Sequence, residues 1–112
     1  MAGLAARDSL RLEVGLCLYG HDLDETTSPV EAGLTWVIGK DRRTTETATF
    51  IGADAILKQI SDGVTRKRVG FVVEGPPARE GAQLYAPGGS DQVGQITSGI
   101  PSPTTGQNIA MG

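Results

Sequence analysis

The grammar of the chain changes near residue 60, and this change limits what the chain can fold into. Before it, apolar residues recur at helical spacing. After it, short β-prone stretches alternate with turns built from glycine, proline and serine. The stretches at 68–74, 83–85, 92–97 and 108–111 read as strands, with Val69, Phe71 and Val73 on one face of the first. Gly-Pro-Pro-Ala at 75–78 and Ala-Pro-Gly-Gly-Ser at 86–90 read as turns. Such spacing suits a small antiparallel barrel or sandwich. The reading is therefore α+β, with a boundary between 1–60 and 61–112.

Two helices are expected in the front half. In the first, over 4–14, Ala6, Leu10 and Val14 lie at i, i+4 spacing, Arg7 and Arg11 form a separate stripe, and Gly15 is placed as the left-handed residue after the end. In the second, over 53–60, Ala53, Ile56, Leu57 and Ile60 form an apolar stripe, and Gly63 follows. Pro29 suits the first position of a short helical turn ended by Gly33. The β-rich run 34–38 predicts a further strand, and 39–51 a charged, threonine-rich connection.

The net charge is −3, with acids and bases mixed along the chain. Nucleic-acid and membrane-surface binding both need a basic face, and the clusters at 40–43 and 66–68 are short and lie beside acids. No apolar run approaches the roughly 20 residues of a membrane span. The single cysteine, Cys17, excludes an internal disulfide and sits in an apolar stretch, as an inert thiol would.

Few residues carry chemistry on type alone. Arg7 is either a surface arginine paired with Asp8 or Glu13, or a rigid fork of donors for a planar ligand. Tyr19 and Trp36 are either core residues or flat walls of a pocket. His21 is the sole histidine. Asp22, Asp24 and Glu25 lack the remaining donors of a calcium loop and read as turn and capping residues, so no metal site is expected. No catalytic triad, phosphate loop or dinucleotide fingerprint is present.

The ordered strings Gly-Leu-Ala-Ala-Arg-Asp-Ser-Leu-Arg-Leu-Glu at 3–13, Leu-Tyr-Gly-His-Asp-Leu-Asp at 18–24 and Pro-Val-Glu-Ala-Gly-Leu-Thr-Trp at 29–36 together resemble the T-protein family, the aminomethyltransferases of the glycine cleavage system. The likeness continues through 52–59, 68–71, 97–103 and 108–112, and departs at 41–50 and 79–95. It implies that 1–60 is the C-terminal part of a folate-binding domain with ferredoxin-like α/β elements. By the same likeness, 61–112 begins a small antiparallel β-barrel domain. The chain would then be an internal piece of a longer enzyme. An unfinished strand at Ile-Ala-Met and a start within a helical pattern agree with this.

The resemblance also implies a chemistry. The parent enzyme would move a one-carbon unit from the aminomethyl-lipoyl arm of the H-protein to tetrahydrofolate and release ammonia. Arg7 matches a folate-contacting arginine, Arg11 would be its structural neighbour, and Tyr19 is taken as a second pocket residue. The family's catalytic aspartate falls in an earlier segment, so no catalytic residue is expected here and the piece alone would be inactive. Asparagine is common in the family at the position of His21. The alternatives sharing the fold are the folate-binding regions of dimethylglycine and sarcosine dehydrogenases and of iron–sulfur assembly proteins. A non-catalytic remnant is a third. The match at 18–24 and 29–36 favours the T-protein. The strings Gly-His-Asp-Leu-Asp-Glu and Gly-Lys-Asp-Arg-Arg look like eukaryotic members, which implies the mitochondrial matrix; a bacterial member would be cytoplasmic.

Overall fold

The computed structural model describes residues 1–112. The chain divides into two compact units, one formed by 1–24 with 69–112, the other by 25–68. Helices and antiparallel strands are both present, so the mixed α and β class holds.

The first unit opens with helix α1, Leu4–Glu13. Its sequence is rich in alanine, leucine and arginine, all strong helix formers. The helix ends as the glycine predicts. Gly15 takes φ +71°, its N–H reaches the Leu12 carbonyl at 3.0 Å, and the Leu16 N–H reaches Arg11 at 2.8 Å. These two bonds are the paired closure of a left-handed glycine stop, and they satisfy carbonyls the helix leaves open. The buried face of α1 carries Ser9 and Leu12 and packs on the sheet described next.

Three strands form that sheet: β1 (Gly70–Val73), β4 (Ser98–Pro101) and β5 (Asn108–Met111), in the order β1-β5-β4, all antiparallel. Strands β2 (Gln83–Tyr85) and β3 (Gln92–Gln95) form a separate antiparallel pair. The expected strand at 92–97 is thus shorter, and the chain continues directly into a strand that the sequence pattern presents as a turn. Between them Ile96 is 1 % exposed. Its N–H and carbonyl bond Ala82 and Gly81, both at 2.8 Å, while the Thr97 N–H turns to Met111 at 2.8 Å. One short segment therefore serves both sheets. Pro101 is tolerated because β4 is an edge strand, where a missing N–H breaks no ladder. Leu12, Ile96, Ala110 and Met111 are the buried apolar side chains of this unit.

The second unit contains α2, Ala53–Asp62, closed by Gly63 at φ +87° as expected. It also contains two single 3₁₀ turns, Thr35–Val37 and Lys40–Arg42. The strand expected at 34–38 is absent. Its β-prone residues have no partner edge among residues 25–68, and the backbone bonds locally instead, Val37 to Leu34 at 3.0 Å and Ile38 to Thr35 at 3.2 Å. Propensity without a neighbouring strand does not make a strand.

The helical turn after Pro29 is fixed by a reciprocal cap. The Glu31 N–H donates to Ser28 Oγ at 3.1 Å, and the Ser28 N–H donates to Glu31 Oε2 at 2.9 Å. This is the Ser-x-x-Glu capping box, with proline at the first helical position. Arg66 also pairs with Glu31, at 3.2 Å. The Arg66 bond, followed by the Ser28 N–H, holds the Glu31 carboxyl below its ordinary pKa.

Candidate functional site

An open cleft of about 450 Å³ lies within the first unit. Its walls are the first two turns of α1, Leu18 and His21 of the following loop, the pair Arg79–Glu80, and the segment from Thr97 to Ile100. The volume is within the range of small-molecule sites, roughly 300–1,000 Å³. Leu4, Leu18 and Ile100 supply apolar wall; three arginines supply positive charge.

The arginines are not equivalent. Arg11 is fully engaged. Its Nε donates to Asp8 Oδ1 at 2.8 Å, one terminal nitrogen donates to Asp22 and to the Leu16 carbonyl, and the other donates to Ser98 Oγ at 2.7 Å. Burial works against its charge, but the bond to Asp8 and the charge of Asp22 outweigh it and raise the pKa. Arg7, one turn earlier, makes no side-chain hydrogen bond or ion pair and is exposed to the cleft. The two carboxylates expected as its surface partners are occupied elsewhere. Asp8 is held by Arg11, and Glu13 accepts from Ser102 Oγ and from Thr104 N–H and Oγ1. Those same bonds, Ser102 first, lower the Glu13 pKa. Arg79 is also exposed, and its one hydrogen bond is to the Gly99 carbonyl at 3.4 Å.

Asp22 is the hub beneath the cleft. Its side chain is 0 % exposed. Oδ1 accepts from Thr97 Oγ1 at 2.6 Å and Ser98 Oγ at 2.8 Å. Oδ2 accepts from the Leu18 N–H at 2.9 Å and from Arg11. Burial alone would raise its pKa. The bonds from Thr97, the Leu18 N–H and Ser98, with the Arg11 charge, more than offset that and hold it below the ordinary carboxylate range. The turn-capping role expected for Asp22 is present in the Leu18 bond, but it is the smaller part of what the residue does. Asp22 ties α1, the 18–22 loop and β4 into one body.

His21 Nδ1 lies 2.9 Å from Glu80 Oε2 at the rim of the cleft. Tyr19 is not in the lining; its ring is 71 % exposed, and its backbone forms an isolated bridge with Leu23. Trp36 belongs to the second unit and is 68 % exposed. Neither aromatic is a core residue. No group of three or more His, Cys, Asp or Glu side chains gathers in a way that could hold a metal ion. Sequence alone does not single out Asp22 with Ser98, or Arg79. The only signal for them is their place in or beside the recurring strings.

Two family models match the chain: the GCVT N-terminal domain over residues 1–42, and the glycine cleavage T-protein C-terminal barrel domain over 66–112. A probable mitochondrial aminomethyltransferase from Schizosaccharomyces pombe is 58% identical over 110 residues, covering 98% of this chain and 27% of its own length. The mitochondrial aminomethyltransferase of Gallus gallus is 59% identical over 111 residues, covering 99% of this chain and 28% of its own. The crystal structure of the glycine cleavage system aminomethyltransferase T from Bartonella henselae superposes with a TM-score of 0.89 at 44% identity, over 98% of this chain and 30% of that one. The chain thus spans little more than a quarter of the length of the curated relatives it matches.

Proposed function

The chain belongs to the glycine cleavage T-protein family, and from that premise we propose that it forms part of a tetrahydrofolate-dependent aminomethyltransferase. The whole enzyme would accept the aminomethyl group carried on the lipoyl arm of an H-protein, release ammonia, and give the one-carbon unit to tetrahydrofolate. The alternatives recede because relatives at 53–59% identity carry the aminomethyltransferase name. Their mitochondrial labels favour the mitochondrial matrix as its compartment. In domain terms, we take 1–60 as the end of the folate-binding domain and 61–112 as the start of the barrel.

The observation that carries the reading is the contrast between Arg7 and Arg11. A guanidinium that faces an apolar-walled cleft with its donors unspent is suited to the carbonyl, ring-nitrogen or carboxylate acceptors of a pterin-bearing ligand. Arg11, saturated by Asp8, Asp22 and Ser98, holds the helix that presents Arg7. The exposed ring of Tyr19 is proposed as a second folate contact from outside the cleft lining. No residue of this chain is assigned proton transfer. What the chain contributes is binding and orientation, which can supply a large part of a transfer barrier.

The test compares two lysine exchanges on one helix. Arg7→Lys keeps the charge but loses the fork, and should weaken tetrahydrofolate binding by about one to two decades, the equivalent of roughly 1.5–3 kcal/mol. Arg11→Lys should cost stability and affect folate much less. Titration of tetrahydrofolate against both variants of the whole enzyme decides it. An unchanged affinity for Arg7→Lys removes Arg7 from the site.

A further inference from the structure

The geometry points to Arg79 as a carboxylate-binding residue at the mouth of the same cleft, one that takes the acidic tail of the ligand whose ring system meets Arg7. This rests on the folate reading above and extends it to the other end of the molecule.

The argument begins with charge. The chain as a whole is acidic, at −3, yet the cleft is lined by three guanidinium groups and two carboxylates. Pairing accounts for some of them. Asp8 is committed to Arg11, which is also shared with buried Asp22. Glu80 lies against His21. Arg7 and Arg79 are left without a carboxylate, and they stand on separate walls, α1 and the segment before β2.

Arg79 is placed but not saturated. Its single bond, to the Gly99 carbonyl at 3.4 Å, is at the long limit for a hydrogen bond. A guanidinium carries five donors in a fixed fork that matches a carboxylate in two-point contact. The backbone beneath it is held closely: Ala78 packs against Gly99 so tightly that no side chain fits between them. Arg79 thus presents an exposed fork from a fixed base.

Folate chemistry supplies a matching partner. The pterin end is neutral, with carbonyl and ring-nitrogen acceptors on its flat pyrimidine ring. The other end is a glutamate with two carboxylates. A charged tail is best left partly hydrated, and Arg79 is exposed where Arg11 is not. Glu80, the next residue, would repel the tail and offset part of the attraction. It provides an internal control of opposite sign.

The test uses two ligands on the whole enzyme of which this chain forms part. Tetrahydrofolate carries the glutamate, and the primary amide of tetrahydropteroate keeps the pterin and benzoyl groups but has no carboxylate. Arg79→Gln should weaken tetrahydrofolate about tenfold and leave the amide unchanged. Glu80→Gln should strengthen tetrahydrofolate and again leave the amide alone. Arg7→Lys should weaken both. A merely structural role for Arg79 would move both ligands together, and that result overturns the assignment. So does a wild-type enzyme that binds the two ligands equally well, which would leave the folate reading standing without a tail site. A wild-type enzyme that binds neither ligand overturns both.

Discussion

Asp22→Ala is expected to unfold the first unit. The change removes a carboxylate with a fully buried side chain, takes half of the Arg11 ion pairing away, leaves the Leu18 N–H and the Ser98 hydroxyl without their acceptor, and leaves the Thr97 hydroxyl only the Met111 carbonyl at 3.2 Å. Breaking a buried ion pair by deleting one partner typically costs about 3–5 kcal/mol. A small domain has little more than that to lose, since stability is usually about 5–15 kcal/mol. Urea titration of wild type and variant measures it, and a midpoint shift worth less than about 1 kcal/mol would show the network to be ornamental. Acid provides a second readout. The folded pKa of Asp22 lies below its ordinary value, so the unfolded chain takes up the proton first. The stabilisation is complete above the ordinary carboxylate range, near pH 4, and is lost as pH falls through the folded value. Glu13 and Glu31 are shifted in the same direction. Asp22→Asn should therefore flatten the acid limb of the stability profile without abolishing it.

Gly99→Ala should be comparably severe, for a steric reason. A Cβ at this position would overlap the Ala78 carbonyl oxygen and lie 3.0 Å from its carbon. Both are backbone atoms, so no rotamer change relieves the clash. The strand or the 78–79 segment must move, and Arg79 moves with it. Ordinary overpacking costs about 1–3 kcal/mol, and this contact belongs at or beyond the upper end. Gly15→Ala is the control. Gly15 has φ +71°, and a methyl group there would project into open space, so only left-handed strain applies, roughly 1–2 kcal/mol. Thermal unfolding of the two variants side by side separates them. Equal losses would mean that β4 can shift away from Ala78 at little cost.

The parts of the fold that are readable in sequence are those with local causes. The extent of α1 and its glycine stop, and the strands at 83–85 and 108–111, follow from propensity, spacing and turn chemistry. The capping box at Ser28 and Glu31 is equally local, and its Ser-x-x-Glu spacing stands plainly in the sequence. The strand that fails to form at 34–38 and the unexpected β4 share one cause. Whether a β-prone or glycine-bearing stretch becomes a strand depends on whether an edge is available to it. Thr-Ser-Gly-Ile-Pro looks like a turn until β5 lies alongside it.

The site divides in the same way. Arg7 is visible through the string at 3–13, but not its freedom. That depends on Asp8 turning to Arg11, and on Glu13 reaching Ser102 and Thr104. Asp22 looks like a loop residue because its hydroxyl partners lie on the far side of the second unit in sequence. Tyr19 has the ring that a pocket wall needs, yet that ring lies outside the cleft walls.

The separation of these partners has a consequence in time. Asp22 and Thr97 are 75 positions apart, and Arg11 and Ser98 are 87 apart. At a ribosomal rate of about 5–20 residues per second, α1 would wait roughly 4–17 s for the strand it packs on. A ten-residue helix is marginal alone in water, so during that interval Leu12 lacks the sheet it packs on, and Arg11 and Asp22 lack the hydroxyls of Ser98 and Thr97. The nascent chain is then most open to chaperones, and to wrong partners. Slow codons between positions 25 and 97 would lengthen the wait without changing a single residue of the finished protein.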